Sequence, residues 1–331
     1  MQGRSSQTQR VAVLIPCYNE EPTIAKVVAD FRTELPEAEI YVYDNNSTDR
    51  TAELAGAAGA VVVPETRQGK GNVVRSMFRD IDADCYLMVD GDDTYPADAA
   101  EDLIAPILAG TADMTVGDRL SNGSYAKENK RAGHGFGNDL VRAMIRWIYG
   151  YRFDDVMTGY RAFSKPFVKT FPVLSHGFQI ETELSIHAVD RGWRIFDVPI
   201  DYRDRPAGSH SKLDTVRDGL RVIAMIGTLF KDYRPLKFFG LISLLFFALA
   251  LIAGVPIILE YHDTGLVPRF PTAILAVGFV FLMALSMVCG LILDTVAKAN
   301  RRMWELDATH TLERMRIEQS KAGWERDRHG R

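Results

Sequence analysis

Residues 86–93 read Tyr-Leu-Met-Val-Asp-Gly-Asp-Asp, an apolar run of strand length that ends abruptly in three carboxylates around a glycine. A buried strand that ends in clustered acid usually ends at a functional site, because buried carboxylates without partners are strongly destabilising. Asp90 and Asp92 are separated by Gly91, which lets the backbone turn sharply. Such a pair suits a hard divalent cation that keeps water ligands and also holds a substrate diphosphate. The alternative is a turn or helix-capping cluster, since Asp and Gly are common in loops.

The chain on both sides of this stretch alternates between short apolar runs and helix-length segments. Strands are predicted at 11–15, 40–43, 60–63, 85–89 and 114–116, and helices at 23–32, from 51 to about 56–59, at 69–81 and at 97–108. This alternation implies an α/β fold with a mostly parallel sheet and helices on both faces. In such sheets, ligands bind beyond the carboxyl ends of the strands.

Polar clusters fall at three of these predicted strand ends, at residues 16–20, 44–49 and 90–93. Asp44 is placed to accept hydrogen bonds from a nucleobase edge or a ribose hydroxyl, while residues 45–49 also fit a cap for the next helix. Lys70 at a predicted helix N-terminus is placed to face a phosphate, with a solvated lysine as the alternative. The spacing of a Walker P-loop is absent from the sequence there.

Two long apolar segments near the C-terminus predict a membrane hairpin. Residues 238–259 and 270–293 carry no charge, and each is long enough to cross a hydrocarbon core of ~30 Å as a helix. A pair of buried core helices is the alternative. Basic residues at 231, 234, 237, 298, 301 and 302 flank the pair, whereas the loop at 260–269 has a single basic residue. The positive-inside rule therefore predicts a two-span protein of the cytoplasmic (inner) membrane, with the large N-terminal domain and both termini in the cytoplasm.

Composition narrows the function classes further. The formal net charge of -4 argues against a general nucleic-acid binder. The three cysteines lie far apart and form no CxxC pair, so neither a disulfide framework nor a zinc site is expected. The first ten residues are polar and lack an apolar core segment, so no signal peptide is expected.

Several motifs together resemble a known family. Residues 13–20 read Val-Leu-Ile-Pro-Cys-Tyr-Asn-Glu, residues 44–49 read Asp-Asn-Asn-Ser-Thr-Asp, and residues 90–92 read Asp-Gly-Asp. These resemble the family 2 inverting glycosyltransferases of the GT-A fold. The later segments 155–161, 178–183, 202–203 and 209–213 resemble a narrower group within that family, the polyprenyl-phosphate glycosyltransferases, which include dolichyl-phosphate mannose synthase. The resemblance covers about residues 10–213.

The resemblance implies transfer of a sugar, with inversion, from a nucleotide diphosphate to polyprenyl or dolichyl phosphate. A UDP-hexose or UDP-N-acetylhexosamine donor is favoured, with GDP-mannose also compatible, and Mg²⁺ or Mn²⁺ would be held by Asp90 and Asp92. Asn45 and the pair Asp93-Thr94 depart from the usual Asp and Leu-Gln, which bears on the base and the sugar rather than the reaction class. The predicted donor site comprises Pro16, Tyr18, Glu20, Asp44, Asn45, Lys70, Asp90, Gly91, Gln179 and Glu181.

A phosphate acceptor has different needs from a hydroxyl acceptor. Its second pKa is ~6, so it is mostly dianionic at neutral pH and needs no base. It needs a cationic cradle that orients it. The acceptor-site candidates are Arg119, Arg131, Arg161, Arg203, Ser211 and Lys212, and the catalytic candidates are Asp92, Asp155, Arg119 and Arg161. The alternatives are surface ion pairs for the arginines and a salt bridge between Asp155 and Arg161.

The predicted organisation has four parts. A cytoplasmic catalytic domain at 1–213 contains a glycine-rich acceptor loop at 121–137, an amphipathic helix at 214–234 lies on the membrane, and the transmembrane hairpin occupies 235–293. The charged tail at 294–331 is interpreted as helical, with a disordered basic end and with self-association as a role open to it. Two other functions stay open: a membrane-anchored transferase acting on a glycan hydroxyl, and a non-catalytic membrane scaffold. The Gln-x-x-Arg-Trp signature of the former is absent, because Ala143 stands where glutamine is required.

Overall fold

The structure is a computed structural model that describes residues 9–121, 134–175, 177, 179–203, 224 and 227–329. The chain divides into two compact units, Met1–Val222 and Ile223–Arg331. The predicted domain boundary at 213 and most of the predicted amphipathic helix at 214–234 lie outside the described residues, so both stay predictions.

The first unit is built on a seven-stranded sheet. Its strands are β1 (Val11–Cys17), β2 (Glu39–Asp44), β3 (Val61–Pro64), β4 (Cys85–Met88), β5 (Met114–Asp118), β6 (Arg161–Ser164) and β7 (Ile195–Pro199). Its helices are α1 (Ile24–Glu34), α2 (Thr51–Ala57), α3 (Lys70–Asp80), α4 (Ala100–Leu108, preceded by a 3₁₀ turn at Ala97–Ala99), α5 (His134–Tyr149), α6 (Lys165–Thr170) and α7 (Ile180–Asp190).

The strand order is β3-β2-β1-β4-β6-β5-β7, which confirms the predicted mostly parallel α/β sheet. Among the seven described strands only β6 runs against the others, pairing antiparallel with both β4 and β5. Sequence reasoning did not predict β6 or β7. Because β6 lies between β4 and β5, one strand separates the ends of those two strands. The segment that leads into β6 passes between these ends.

Burial on both faces explains why β1 and β4 are continuous apolar runs. Ala12 is 2% exposed, and the next three residues of β1 are 0% exposed. One face packs against Ile24, Val28 and Phe31 of α1 within the main hydrophobic cluster. Strands buried on both faces have no polar alternation. The polar residues therefore collect where these strands end.

The second unit contains two long helices, α8 (Pro235–Thr264) and α9 (Phe270–His329). Both contain apolar windows long enough to cross a membrane, as predicted, and only 6% and 11% of those windows are buried within the protein. The alternative of buried core helices would require most of each window to be buried, which is not the case. The two helices approach closely, because a Cβ on Gly290 would lie 2.9 Å from Cβ of Phe239. Helix α9 runs to His329, so the predicted disordered basic end is instead helical up to that residue.

Candidate active site

The acidic turn after β4 is held against the end of β1. A Cβ on Gly91 would lie 2.7 Å from Sγ of Cys17, so glycine is required here by lack of space. The hydroxyl of Thr23 donates a hydrogen bond of 2.6 Å to the carbonyl oxygen of Gly91. The left-handed backbone conformation falls on Asp93, with a φ of 58°, and not on the glycine. Gly91 lies in the turn as predicted, but it is needed there for close packing, and the left-handed conformation is taken by Asp93.

The carboxylate of Asp90 lies between a buried ammonium group and a glycine backbone. Nζ of Lys70 is 2.5 Å from Oδ1 of Asp90. On the other side, a Cβ on Gly159 would overlap the same carboxylate, so a side chain at that position would displace it. The Asp90 side chain keeps 29% of its surface exposed, which leaves it accessible to a ligand.

Lys70 also joins two helix N-termini. It is the first residue of α3, and its Nζ lies 2.5 Å from Oε1 of Glu181 in the first turn of α7. Burial alone lowers the pKa of Lys70, but the charges of Asp90 and Glu181 outweigh it, and the net pKa is raised. The group is therefore a fixed positive charge. This corrects the alternative of a solvated lysine, since only 9% of the side chain is exposed.

Asp92 is buried and lies beside the following threonine. Its Oδ1 accepts hydrogen bonds from the hydroxyl of Thr94 at 2.6 Å and from the Thr94 amide at 3.3 Å. Among the residues that the structure describes, no group of three or more His, Cys, Asp or Glu side chains is placed to hold a metal ion. A cation at Asp90 and Asp92 would thus need water and substrate oxygens to complete its shell, which Mg²⁺ commonly uses. Asp90 keeps 29% of its side-chain surface exposed and Asp92 follows two residues later, so this pair of hard oxygen donors fits the predicted metal.

The end of β2 offers a second anchoring point. Oδ2 of Asp44 accepts the amide of Ser47 at 3.2 Å, while Oδ1 is buried and has no hydrogen-bond partner. Buried carboxylate oxygens are rarely left unpaired, so this atom has capacity for a donor from a ligand. Asn45 has no such capacity in its amide, which donates to the carbonyls of Glu65 and Arg67. The prediction that Asn45 binds the donor is thus replaced by a structural role.

Arg119 follows the end of β5 and is oriented by Asp155. Its Nε lies 2.6 Å from Oδ2 of Asp155 and its second terminal nitrogen lies 3.1 Å from Oδ1, a two-point ion pair. The guanidinium also lies over the Tyr202 ring, 5.4 Å from its centroid, and donates to the hydroxyl of Tyr95 at 3.3 Å. Burial tends to lower the pKa of Arg119, but Tyr95 and Asp155 raise it well above its usual value. Arg119 is a permanent cation held in one orientation.

A family model described as Glycosyl transferase family 2 matches residues 12–170. Glycosyltransferase AglJ of Haloferax volcanii is 34% identical over 304 residues, which cover 90% of this chain and 98% of that protein. The chain belongs to glycosyltransferase family 2. The resemblance seen in the sequence motifs is thereby confirmed.

Two further relatives of this glycosyltransferase are informative. A protein of H. volcanii named dolichyl-phosphate hexose transferase is 31% identical over 214 residues, which cover 64% of this chain and 90% of that protein. Glucosyl-3-phosphoglycerate synthase from Mycobacterium tuberculosis, solved with Mn²⁺, UDP-glucose and phosphoglyceric acid, aligns with a TM-score of 0.56 at 23% identity. That alignment covers 68% of this chain and 79% of the solved chain, and it shows the fold.

Arg161 has a different place in the glycosyltransferase from the one predicted. It is fully buried, and its three nitrogens donate to the carbonyls of Thr158 and Val156 and to the hydroxyl of Ser185. Burial lowers the pKa of Arg161 to about 10, although the charges of Glu181 and Asp155 counteract it. The predicted acceptor contact is corrected, and the alternative of a salt bridge with Asp155 is not found, because Asp155 pairs with Arg119. Arg161 holds the segment that carries Asp155.

The remaining predicted site residues lie at the end of β1, before α7 and beside the acidic turn, or outside the described residues. Tyr18 is 38% exposed just beyond β1, and Pro16 lies within β1 opposite Tyr43 of β2. The Glu20 amide donates to the Thr51 hydroxyl at 2.8 Å. Gln179 is the exposed residue before α7, and the amide of Arg203 donates to the Thr94 carbonyl at 2.9 Å, beside the acidic turn. Arg131, Ser211 and Lys212 lie outside the described residues.

Tyr95 is a site residue that sequence reasoning missed. Its buried hydroxyl accepts the Gly159 amide at 2.9 Å and the Arg119 guanidinium at 3.3 Å, which links the β5 end to the segment entering β6. Tyr95 also packs its ring at 5.8 Å from that of Tyr202. Its position two residues after the acidic turn was the only signal in the sequence.

Proposed function

We propose that this family 2 glycosyltransferase transfers a hexosyl or N-acetylhexosaminyl group from a nucleotide diphosphate to a polyprenyl phosphate, with inversion at the anomeric carbon. The relative named dolichyl-phosphate hexose transferase supports the lipid phosphate as acceptor. The solved neighbour that holds UDP-glucose supports a uridine donor, with GDP-mannose as the other candidate.

The observation that carries the choice of acceptor is the state of Asp155. A transferase that acts on a sugar hydroxyl needs a carboxylate to remove the proton. The Asp155 side chain is 0% exposed and both its oxygens are bound to Arg119. A carboxylate with no exposed surface presents no oxygen to the hydroxyl of a substrate. Asp155 therefore orients Arg119 and does not act as a base, which favours an acceptor that arrives already ionised.

A polyprenyl phosphate meets that requirement. Its phosphate is mostly dianionic at neutral pH, because the second pKa of a phosphate monoester is ~6. Arg119 presents a rigid, planar donor group of the kind that binds phosphate in two-point fashion. Arg203 and the candidates Arg131, Ser211 and Lys212 would complete the cradle. Arg119 then positions the acceptor oxygen for attack instead of activating it.

The donor would be held at the acidic turn. Asp90 and Asp92 would hold Mg²⁺ or Mn²⁺, which supplies Lewis-acid neutralisation of the departing diphosphate. Asp44 accepts hydrogen bonds from the nucleoside, and Tyr18 and Glu20 border the same end of β1. Lys70 adds a fixed positive charge near the diphosphate.

The transfer step is a displacement at the anomeric carbon. An oxygen of the lipid phosphate forms a bond to the anomeric carbon as the bond from that carbon to the diphosphate oxygen breaks. The electron pair of the broken bond leaves on the diphosphate, and no proton has to be transferred. Because attack and departure occur on opposite faces, the configuration inverts.

The two apolar helices of the second unit would place this chemistry at a membrane. We propose that α8 and α9 form two spans, with the first unit and both termini in the cytoplasm, on the basis of the flanking basic residues. If the catalytic unit lies at the bilayer surface, it can bind the phosphate of the lipid while the lipid stays in the bilayer. Self-association through the charged tail at 294–331 stays a prediction.

The test is incorporation of label from nucleotide sugar into lipid. Full-length enzyme in membranes is incubated with labelled UDP-glucose, UDP-N-acetylglucosamine or GDP-mannose, polyprenyl phosphate and Mn²⁺, and the organic phase is counted. Asp92→Asn should abolish transfer, whereas the matched variant Asp93→Asn, which removes a carboxylate paired with Lys26, should retain it. Label in a glycan polymer would support the hydroxyl-directed alternative. No transfer with any donor would support the non-catalytic scaffold.

A further inference from the structure

Lys70 already occupies the carboxylate that the donor site assigns to the metal. Its Nζ is 2.5 Å from Asp90 and 2.5 Å from Glu181, in a position that is nearly closed to solvent. We propose that Lys70 is a built-in counter-cation of Asp90, which gives up that carboxylate to a divalent cation only when a nucleotide diphosphate arrives. This inference rests on the proposed donor site and adds that metal and nucleotide bind cooperatively through one lysine.

The geometry creates competition between two cations. A divalent ion bound to a carboxylate oxygen lies ~2 Å from it. An ammonium group 2.5 Å from the same carboxylate would then be within a few ångströms of the metal. Like charges at that separation repel by an energy well above thermal energy unless solvent screens them fully. Lys70 therefore lowers the affinity of the empty site for a metal on its own.

Glu181 gives the lysine a second partner. The Glu181 side chain is 7% exposed, and the residue lies in the first turn of α7, where its backbone carbonyl accepts the Ser185 hydroxyl at 2.9 Å. When Asp90 turns to a metal, the Lys70 ammonium keeps Glu181 as its partner and is not left buried without a counter-charge. Glu181 is thus a positioning residue that makes the exchange energetically accessible.

The nucleotide diphosphate resolves the competition. Its oxygens carry negative charge that offsets the repulsion between the metal and Lys70, and the ammonium can contact them directly. By linkage, a nucleotide that raises metal affinity must have its own affinity raised by the metal to the same factor. The expected result is weak binding of either ligand alone and strong binding of both together.

A nearby lysine provides a matched control. Lys26 also bridges two carboxylates, Asp30 and Asp93, each at 2.7 Å, but neither belongs to the predicted metal pair. Its side chain is 51% exposed, so its charge is largely screened by solvent. Lys26→Met removes a positive charge that α1 brings to the acidic turn at Asp93, without touching Asp90.

The experiment measures Mn²⁺ binding directly, by the electron paramagnetic resonance signal of free Mn²⁺, with full-length protein in detergent. Each variant is titrated with and without UDP. Lys70→Met should bind Mn²⁺ about tenfold more tightly than wild type without UDP, and the enhancement by UDP should shrink correspondingly. Lys26→Met should match wild type. Glu181→Gln should weaken Mn²⁺ binding without UDP, because Lys70 then depends on Asp90 alone.

A double-mutant cycle separates this exchange from simple electrostatics. If Glu181 acts through Lys70, Glu181→Gln should have little effect on Mn²⁺ affinity in the Lys70→Met background. Equal effects of Glu181→Gln in both backgrounds, or unchanged Mn²⁺ affinity in Lys70→Met, would overturn the inference and leave the proposed function intact. Absence of Mn²⁺ binding to wild type with UDP present would overturn the metal-assisted donor site itself.

Discussion

Replacing Asp197 by asparagine should stabilise the first unit at neutral and alkaline pH. Asp197 lies on β7 opposite Val116, whose other neighbour in the sheet is Arg161. Its Oδ1 is buried and has no hydrogen-bond partner. Burial first, and then the charges of Asp154 and Asp118, raise the pKa of Asp197 to about 7. Arg161 counteracts this shift only in part, and Asp155 adds to it.

The sign and size of the effect follow from this pKa. In the unfolded chain the group titrates near 3.8, so between pH ~4 and ~7 the folded state holds a proton that the unfolded state has lost. Stability contributed by this group therefore falls as pH rises through that window, and the full cost is present above pH ~7. A shift of about three pH units corresponds to about 4 kcal/mol. Solvent screening of the partly exposed side chain reduces this to about 2–4 kcal/mol.

The assay is urea unfolding of the full chain in detergent, followed by tryptophan fluorescence from pH 4 to pH 8. Asp197→Asn should gain about 2–4 kcal/mol over wild type at pH 8 and lose most of that gain at pH 4. Asp139→Asn, an exposed aspartate on α5 with a surface pair to Arg142, serves as the control and should show no pH-dependent gain. A gain for Asp197→Asn that is equal at both pH values, or absent at both, would refute the reasoning.

Three further predictions concern the site. Asp155→Asn should cost about 3–5 kcal/mol in the free energy of unfolding, because Arg119 stays buried without its carboxylate; a loss below about 1 kcal/mol in the urea assay would contradict this. Gly91→Ala should lower the melting temperature, because the added Cβ meets Sγ of Cys17. Adding Cys17→Ala should restore the melting temperature. A double variant no more stable than Gly91→Ala would exclude that contact as the cause. Asp44→Ala should weaken UDP binding about tenfold or more in calorimetry, with little change in melting temperature, since one oxygen of Asp44 has no protein partner. Equal losses in binding and stability would indicate a structural role for Asp44.

Much of the first unit could be predicted from local sequence. The runs at β1, β2 and β4 are apolar because these strands are buried, and the polar residues that follow them mark the strand ends. Strand β6 was missed because four residues, Arg-Ala-Phe-Ser, begin with a charged side chain that nothing in the local pattern shows to be buried. Helix α9 was predicted to fray into a basic tail, since its spacing of apolar residues weakens after the span.

In the candidate site, the residues could be predicted from the sequence, but the contacts between them could not. The acidic turn, Lys70, Arg119, Asp155 and Glu181 were all selected as candidates from motifs and strand ends. Their pairing was not predicted. For Asp155, a salt bridge to Arg161 was only the alternative, and its partner is Arg119. Lys70 was expected to face a phosphate or solvent, and it contacts Asp90 and Glu181. Nothing in the sequence spacing distinguishes these arrangements.

The strand and helix pattern, the acidic turn and the two membrane-length helices can be read from local sequence, because hydrophobic periodicity and segment length depend on near neighbours along the chain. The pairing of the charges depends on how distant segments pack together. Lys70 and Glu181 are 111 residues apart, and Arg119 and Asp155 are 36 apart. The Arg119–Asp155 pair forms because antiparallel β6 enters the sheet between β4 and β5 and brings the Asp155 segment against the end of β5, whereas Lys70 and Glu181 meet because α3 and α7 begin close together. That insertion depends on packing across the whole sheet, which no local stretch of sequence records.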